Sequence, residues 1–262
     1  MDSFVNKNSI QDLLAGYKFK NPFPFTYIDN FLKPEKIKSI LDEVNELKSE
    51  NADSKFIYSI NEFNKFAFSR NFTSTIQLLF EELVSNDFID VIEKCTGISG
   101  IIRNDTQLFG AGVHRIHKDG YLGIHTDFNI YYSEKHGLLD RRINLLIYLN
   151  PDWKEEYDGT LWLCNHTHST INYKILPILN RCVIFNTSSV SLHGHPTKLK
   201  CPDDTFRQSI AVYYYTKNSN TEMNMNNSIL WGHNDIRDYE GNKYRGTVFY
   251  KTELYDESFR NV

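Results

Sequence analysis

The chain has 262 residues, of which 40% are hydrophobic and 14% aromatic, enough for one large domain with a sizeable core. Its 29 basic and 33 acidic side chains give a formal net charge of -4, which removes nucleic acid as the default partner. The opening residues carry no basic segment followed by an apolar one, and the most apolar run, Ile143 to Leu149, is far too short to span a bilayer, so neither a secretory leader nor a membrane span is expected.

Residues 1–20 are expected as an arm or a short helix. Asn21-Pro22-Phe23-Pro24-Phe25 is expected to be extended, because each proline pushes its predecessor out of the helical region. Tyr27, Ile28, Phe31 and Leu32 suggest a short strand and a turn. Pro34 suits a first helical position, and Ile37, Ile40, Leu41, Val44 and Leu47 follow at helical spacing with one buried stripe. Residues 50–75 show no clear period. Ile76 to Val84 is expected to be helical. Ser85-Asn86-Asp87 then offers N-cap chemistry to a further helix with Phe88, Val91, Ile92 and Cys95 on its apolar face, closed by Gly97.

After Gly97 strand-like runs take over: Gly112 to His117, Tyr121 to Thr126, Ile143 to Leu149, Thr160 to Cys164, Arg181 to Asn186 and Ser209 to Thr216. Gly, Asn, Asp and Pro punctuate them, as in an antiparallel sandwich or barrel. The 18 Phe and 16 Tyr fit a β-rich interior. Helices first and strands second make the chain α+β. Residues 218–227 are a polar, Asn-rich connector. Beyond them Trp231, Tyr239, Tyr244, Phe249 and Tyr250 point to a tail that packs back on the core or covers a site. Cys95, Cys164, Cys182 and Cys201 form no CxxC pair, so they are expected as buried thiols in a reducing, cytoplasmic compartment.

The residues that carry chemistry begin at Gly123-Ile124-His125-Thr126-Asp127. Residues two apart on a strand point the same way, so His125 and Asp127 can offer an imidazole and a carboxylate to one metal. A third ligand must come from another strand, and Ser191-Leu192-His193-Gly194-His195-Pro196 supplies His193, with His195 on the same face of a regular strand as its rival. Two histidines and one carboxylate on one face of an octahedron leave the other face open, which suits non-haem Fe(II) oxygenases. A tetrahedral zinc hydrolase uses the same ligand types, and the ligands alone do not separate the two. Arg207 adds a lone cation at the start of an apolar strand, suited to holding a carboxylate through paired hydrogen bonds. Isolated histidines are more often structural than ligating, and His114, His117, His136, His166 and His168 are read that way. Arg142 and Asn144 lie on a strand where ligand contact and a plain surface role are equally open, and Tyr213, Tyr214 and Tyr215 are read as core packing.

Residues from about 107 to 216 resemble the 2-oxoglutarate/Fe(II) oxygenase superfamily, in particular its prolyl 4-hydroxylase-like branch. Six blocks in order carry the resemblance: Gly120 to Asp127; Arg142 to Asn150 with Trp153; Asp158 to Leu163; Pro177 with Asn180 to Phe185; His193 to Pro196; and Arg207-Gln208-Ser209. It implies a double-stranded β-helix, or jelly roll, with N-terminal helices packed on one sheet. The regions are then 1–105 as helical support, 106–217 as the jelly-roll core and 218–262 as tail or lid of the same domain. It further implies Fe(II) on His125, Asp127 and His193, with His195 beside them as a hydrogen-bonding neighbour. The distal carboxylate of 2-oxoglutarate falls to Arg207, with Tyr148 as a second contact unless it is an ordinary core aromatic. O2 is the co-substrate, and ascorbate a further candidate for this branch. Asp127 stands where halogenases of the superfamily lack a carboxylate, which implies hydroxylation of an unactivated C–H bond. The substrate is expected to be a prolyl or other residue of a peptide or protein, with a free amino acid or other small molecule as the alternative. A non-catalytic metal-binding jelly-roll module is the reading from another class. Asp158-Gly159 departs from the Gly-Gly common at that turn, a change Asp tolerates. No sequence feature specifies an oligomeric state.

Overall fold

A computed structural model describes residues 2–57, 61–69, 72, 74–106, 110–165, 170–218 and the pairs 230–231, 236–237 and 243–244. The N-terminal third holds the helices α1 (Lys7–Leu14), α2 (Pro34–Glu46), α3 (Ser74–Leu83) and α4 (Asn86–Thr96), with strands β1 (Phe25–Ile28), β2 (Ser54–Phe56) and β3 (Glu62–Phe68) between them. The caps are those the sequence suggests. Pro34 opens α2, Ser85 Oγ accepts from the Phe88 amide at the start of α4, and Gly97 ends α4 at φ 73°. Glu43 of α2 accepts from the Ile76 amide in the first turn of α3, so one helix supplies the missing cap of the next.

Strands then follow: β4 (Gly112–Thr126), β5 (Ile130–Ser133), β6 (Gly137–Tyr148), β7 (Leu161–Asn165), β8 (Thr170–Ile175), β9 (Cys182–Asn186), β10 (Leu192–His195) and β11 (Arg207–Lys217). Two-residue strands β12 (Leu230–Trp231), β13 (Ile236–Arg237) and β14 (Lys243–Tyr244) follow in the tail. The first half of β4 pairs with β11, which continues through β6 and β9 to β1. The second half pairs with β10, which continues through β7 to β8. One long strand thus joins two antiparallel sheets that curl over each other, the double-stranded β-helix expected. The expectation of two separate strands, 112–117 and 121–126, gives way to this one. The positive φ of Asp119 interrupts the pattern locally, while β3 pairs with both halves and takes up the offset between Phe63 and Lys65.

The helices cover the outer face of the β1-β9-β6-β11-β4 sheet. Ile40 and Val44 of α2, Leu79 and Leu83 of α3 and Ile92 of α4 share one core with that sheet, and the Tyr214 hydroxyl donates to the Leu83 carbonyl at 3.0 Å. Arg115 of β4 turns outward into this layer and donates to the Val44 and Leu47 carbonyls, satisfying the C-terminal end of α2. The inner faces of the two sheets are left to enclose a cavity. The tail returns to the core: Trp231 of β12 is the backbone partner of His125. Tyr239, Phe249 and Tyr250, with His166 and His168, lie outside the described residues.

Candidate active site

His125 stands near the end of β4 and His193 on β10, and their Cα atoms are direct partners across the pair. The imidazoles therefore meet, with ring centroids 4.5 Å apart. Each ring is aimed by its own strand, since His125 Nδ1 donates to the Gly123 carbonyl at 2.8 Å and His193 Nδ1 to the Ser191 carbonyl at 2.9 Å. Both Nε2 atoms face Asp127, at 3.4 Å from its Oδ1 and 3.5 Å from its Oδ2. All three residues are buried, and one ligand atom from each lies within 4.8 Å of the others. That spacing and that donor set fit a divalent cation with open positions on one side.

Arg141 organises this cluster. It is 2% exposed, and its Nη2 donates to Asp127 Oδ2 at 2.7 Å. Its guanidinium lies between the rings of Phe128 and Tyr213, 4.8 and 3.5 Å from their centroids. Asn144 Nδ2 adds a longer contact to the same carboxylate oxygen at 3.4 Å. Burial works against the charge on Asp127, but Arg141 and the two imidazoles outweigh it and hold the carboxyl well below the usual carboxylate range. Burial pushes His193 down to about 4 against the attraction of Asp127, so near neutrality its imidazole is neutral.

Arg207 begins β11 and lines the same cavity of about 210 Å³. It is 5% exposed. Its Nε donates to the Gly159 carbonyl at 2.7 Å and its Nη2 to the Tyr148 hydroxyl at 3.3 Å, and among the described residues it has no carboxylate partner. A buried guanidinium without a counter-ion is costly, and it suits an anionic ligand. Burial depresses Arg207, while the Tyr148 hydroxyl is raised by burial and drawn back by Arg207. The turn beneath needs glycine. Gly159 sits at φ 73°, and a Cβ there would lie 2.6 Å from Leu199 and 3.0 Å from the Arg207 side chain.

The structure thus gathers His125, Asp127, His193, His195 and Arg207 around one cavity, with Tyr148 behind Arg207. Sequence reasoning missed Arg141 and read Tyr213 as packing alone. Tyr213 faces the cavity over Arg141, and only Tyr214 and Tyr215 are plain packing. His114 also lines the cavity, whereas His117 packs between Phe66 and Phe206 and pairs with Ser49, and His136 meets Asp105 at 2.6 Å. Arg141 and Asn144 both line the cavity and Arg142 does not, because the register against β11 slips at this point, Tyr214 facing Ile143 and Tyr215 facing Arg141, and breaks the strand alternation. A larger cavity of about 490 Å³ lies between the N-terminal arm and α3–α4, beside Phe4, Leu78 and Glu82, but it holds none of these groups, so volume does not mark the site.

The family model of the 2OG-Fe(II) oxygenase superfamily matches residues 111–215, the span that carries every one of these cavity histidines and Arg207. Over that span the chain is similar to the 2OG-Fe(II) oxygenase superfamily. It is a 2-oxoglutarate-dependent dioxygenase whose cofactor is iron. Solved structures agree on the fold. A prolyl hydroxylase from Trichoplax adhaerens, in complex with a hypoxia inducible factor peptide fragment, is 20% identical with a TM-score of 0.55, covering 80% of this chain and 91% of that one. A Pseudomonas putida prolyl-4-hydroxylase is 13% identical with a TM-score of 0.53, covering 79% and 99%. HygX from Streptomyces hygroscopicus, with nickel and 2-oxoglutarate bound, is 12% identical with a TM-score of 0.50, covering 83% and 89%. No curated protein matches the chain in sequence. No helix among the described residues is long and apolar enough to cross a membrane.

Proposed function

We propose that this oxygenase holds Fe(II) on His125, Asp127 and His193, anchors the distal carboxylate of 2-oxoglutarate on Arg207 with Tyr148 behind it, and hydroxylates an unactivated C–H bond. The observation that carries this reading is one cavity with a buried His-Asp-His cluster at one side and, at the other, a buried arginine that has no counter-ion among the described residues. When bound, iron and 2-oxoglutarate supply the oxidising chemistry, with 2-oxoglutarate converted to succinate and carbon dioxide. The chain's own residues do the positioning. Arg141 fixes Asp127 through Oδ2, and the backbone carbonyls at 123 and 191 fix the two imidazoles. A zinc hydrolase has no use for Arg207, and a non-catalytic module has no use for both halves of the cavity.

The substrate we assign is a prolyl or other residue of a peptide or protein, supported by the prolyl hydroxylases of like fold. It would approach past Phe56 and the Glu62–Lys65 pair of the β2–β3 hairpin, which line the cavity. A small molecule is the second reading, supported by SnoN, a non-heme alpha ketoglutarate dependent epimerase from nogalamycin biosynthesis that has a like fold. The four cysteines are free and buried, which supports a reducing, cytoplasmic setting. The test is anaerobic reconstitution with Fe(II) and 2-oxoglutarate. The expected result is a visible metal-to-ligand charge-transfer band, lost in Asp127→Ala and weakened in Arg207→Ala. Tight zinc binding with no band on iron would overturn the reading.

A further inference from the structure

His195 lines the cavity, and nothing above explains its presence there. It is 1% exposed, and neither ring nitrogen has a hydrogen-bond partner on any other described residue. A buried imidazole left like this is disfavoured by the loss of two hydrogen bonds to water. A core histidine of the ordinary kind would have found a backbone carbonyl, as His125 and His193 do two residues away.

The backbone is built to bring it here. Between His193 and His195 the register against β4 slips: His193 is opposite His125, but His195 is opposite Leu122, three residues back along β4 for two along β10. Gly194 makes that offset possible, because a Cβ there would lie 2.6 Å from the Gly123 carbonyl oxygen and 2.9 Å from that of Leu122. The slip carries His195 away from the ligand cluster and toward the half of β4 where Ile116 is opposite Arg207. His195 and Arg207 line the same cavity, as does Lys65, and both cations act on His195. Its surroundings are therefore cationic, and the missing partner is an anion.

Resting on the function proposed above, we propose that His195 donates a hydrogen bond to the distal carboxylate of bound 2-oxoglutarate, a third contact beside Arg207 and Tyr148. Either neutral tautomer has one N–H to give, so the assignment does not depend on which nitrogen carries the proton. His195 is then a positioning residue for the cosubstrate, and neither an alternative metal ligand nor packing.

The experiment compares wild type, His195→Leu and His195→Gln, each loaded anaerobically with Fe(II). Titrations use 2-oxoglutarate and 2-oxopentanoate, which has the same keto-acid end but a methyl group in place of the distal carboxylate. The readout is the charge-transfer band. The expected result is full iron loading in all three, a Kd for 2-oxoglutarate raised roughly tenfold or more in His195→Leu, and partial recovery in His195→Gln. The Kd for 2-oxopentanoate should stay at its wild-type value. Unchanged 2-oxoglutarate affinity in His195→Leu overturns the inference. An equal loss for both ketoacids overturns it too, by placing His195 at the chelating end, and so does loss of iron, which would make it a ligand. A wild type that gives no band removes the proposed function and this inference with it, an outcome distinct from the other three.

Discussion

Arg141→Met is the substitution whose consequences follow most directly from the geometry. Methionine keeps much of the side-chain length and can lie between Phe128 and Tyr213, but it leaves Asp127 as a buried carboxylate without its cation. Removing one partner of a buried ion pair costs about 3–5 kcal/mol. At roughly 2–4 °C per kcal/mol for a chain of this size, the metal-free protein should lose about 6–20 °C in Tm. Asp127 can escape part of that cost by taking up a proton, so the deficit should be smaller at pH 5.5 than at pH 7.5. A divalent cation supplies the missing positive charge directly. Saturating Mn(II) should therefore raise the Tm of Arg141→Met by more than it raises that of wild type. Differential scanning fluorimetry with and without EDTA measures all of this. A metal-free variant within about 2 °C of wild type would refute the idea that Arg141 holds Asp127 charged in the folded state.

Arg207→Met should leave iron stoichiometry intact and weaken 2-oxoglutarate roughly a hundredfold, the size of a paired, charge-assisted contact, as read by the charge-transfer titration. Its metal-free Tm should fall little or rise, because a buried cation without a counter-ion is removed; a large fall would mean that Arg207 is chiefly structural. Gly194→Ala should lower both iron occupancy and Tm, since the new methyl meets the backbone of β4 at 2.6 Å; unchanged values would show that the β10–β4 offset is soft. His114 supplies a pH dependence. Burial, with Lys65 and Arg141 nearby, pushes it down to about 3. The unfolded chain therefore takes up a proton below pH 6.5 that the folded chain refuses, so its contribution is complete above pH 6.5 and is lost as pH falls toward 3. Between pH 7.5 and 5.5 wild type should lose about 1 kcal/mol more than His114→Gln in urea unfolding of the metal-free protein, and equal losses would count against a His114 held neutral in the folded chain.

The parts of the site that could be read in advance are those set by strand alternation alone. His125 and Asp127 share a face because they are two apart, and a lone Arg207 entering an apolar strand has few uses. Arg141 escaped because it sits beside Arg142, and only the register of β6 decides which of two adjacent arginines points inward. Tyr213 escaped for the same reason: three tyrosines in a row hide the alternation, and the irregularity between Tyr214 and Tyr215 shifts it again. The β2–β3 hairpin gave no period because β3 is half-buried along most of its length, with neither face wholly apolar. The helices were plainer, since their caps are local: Ser85, Gly97 and Pro34 act within one turn and owe nothing to distant partners. His195 could be named but not placed, because its role depends on an offset between two strands that no spacing within β10 records.

Charge couples the two halves of the cavity. Asp127 and Arg141 cancel each other, which leaves Arg207 as the uncompensated charge beside the Glu62–Lys65 pair. A divalent cation alone adds two positive charges to a buried space that is already positive. A dicarboxylate alone brings two negative charges, of which Arg207 answers one. Together the two ligands leave the cavity's net charge as it was, so each should bind better in the presence of the other. Coupling between sites is commonly 1–3 kcal/mol, and by linkage it is the same in both directions. Calorimetric titration of 2-oxoglutarate should give a Kd at least fivefold weaker for EDTA-treated protein than for the Mn(II) form. In Arg207→Met the anion's own counter-charge is gone, so metal-free binding should vanish while some binding to the Mn(II) form persists through the keto-acid end. Equal affinities with and without metal would mean that the cavity is screened by solvent and that its charges act separately.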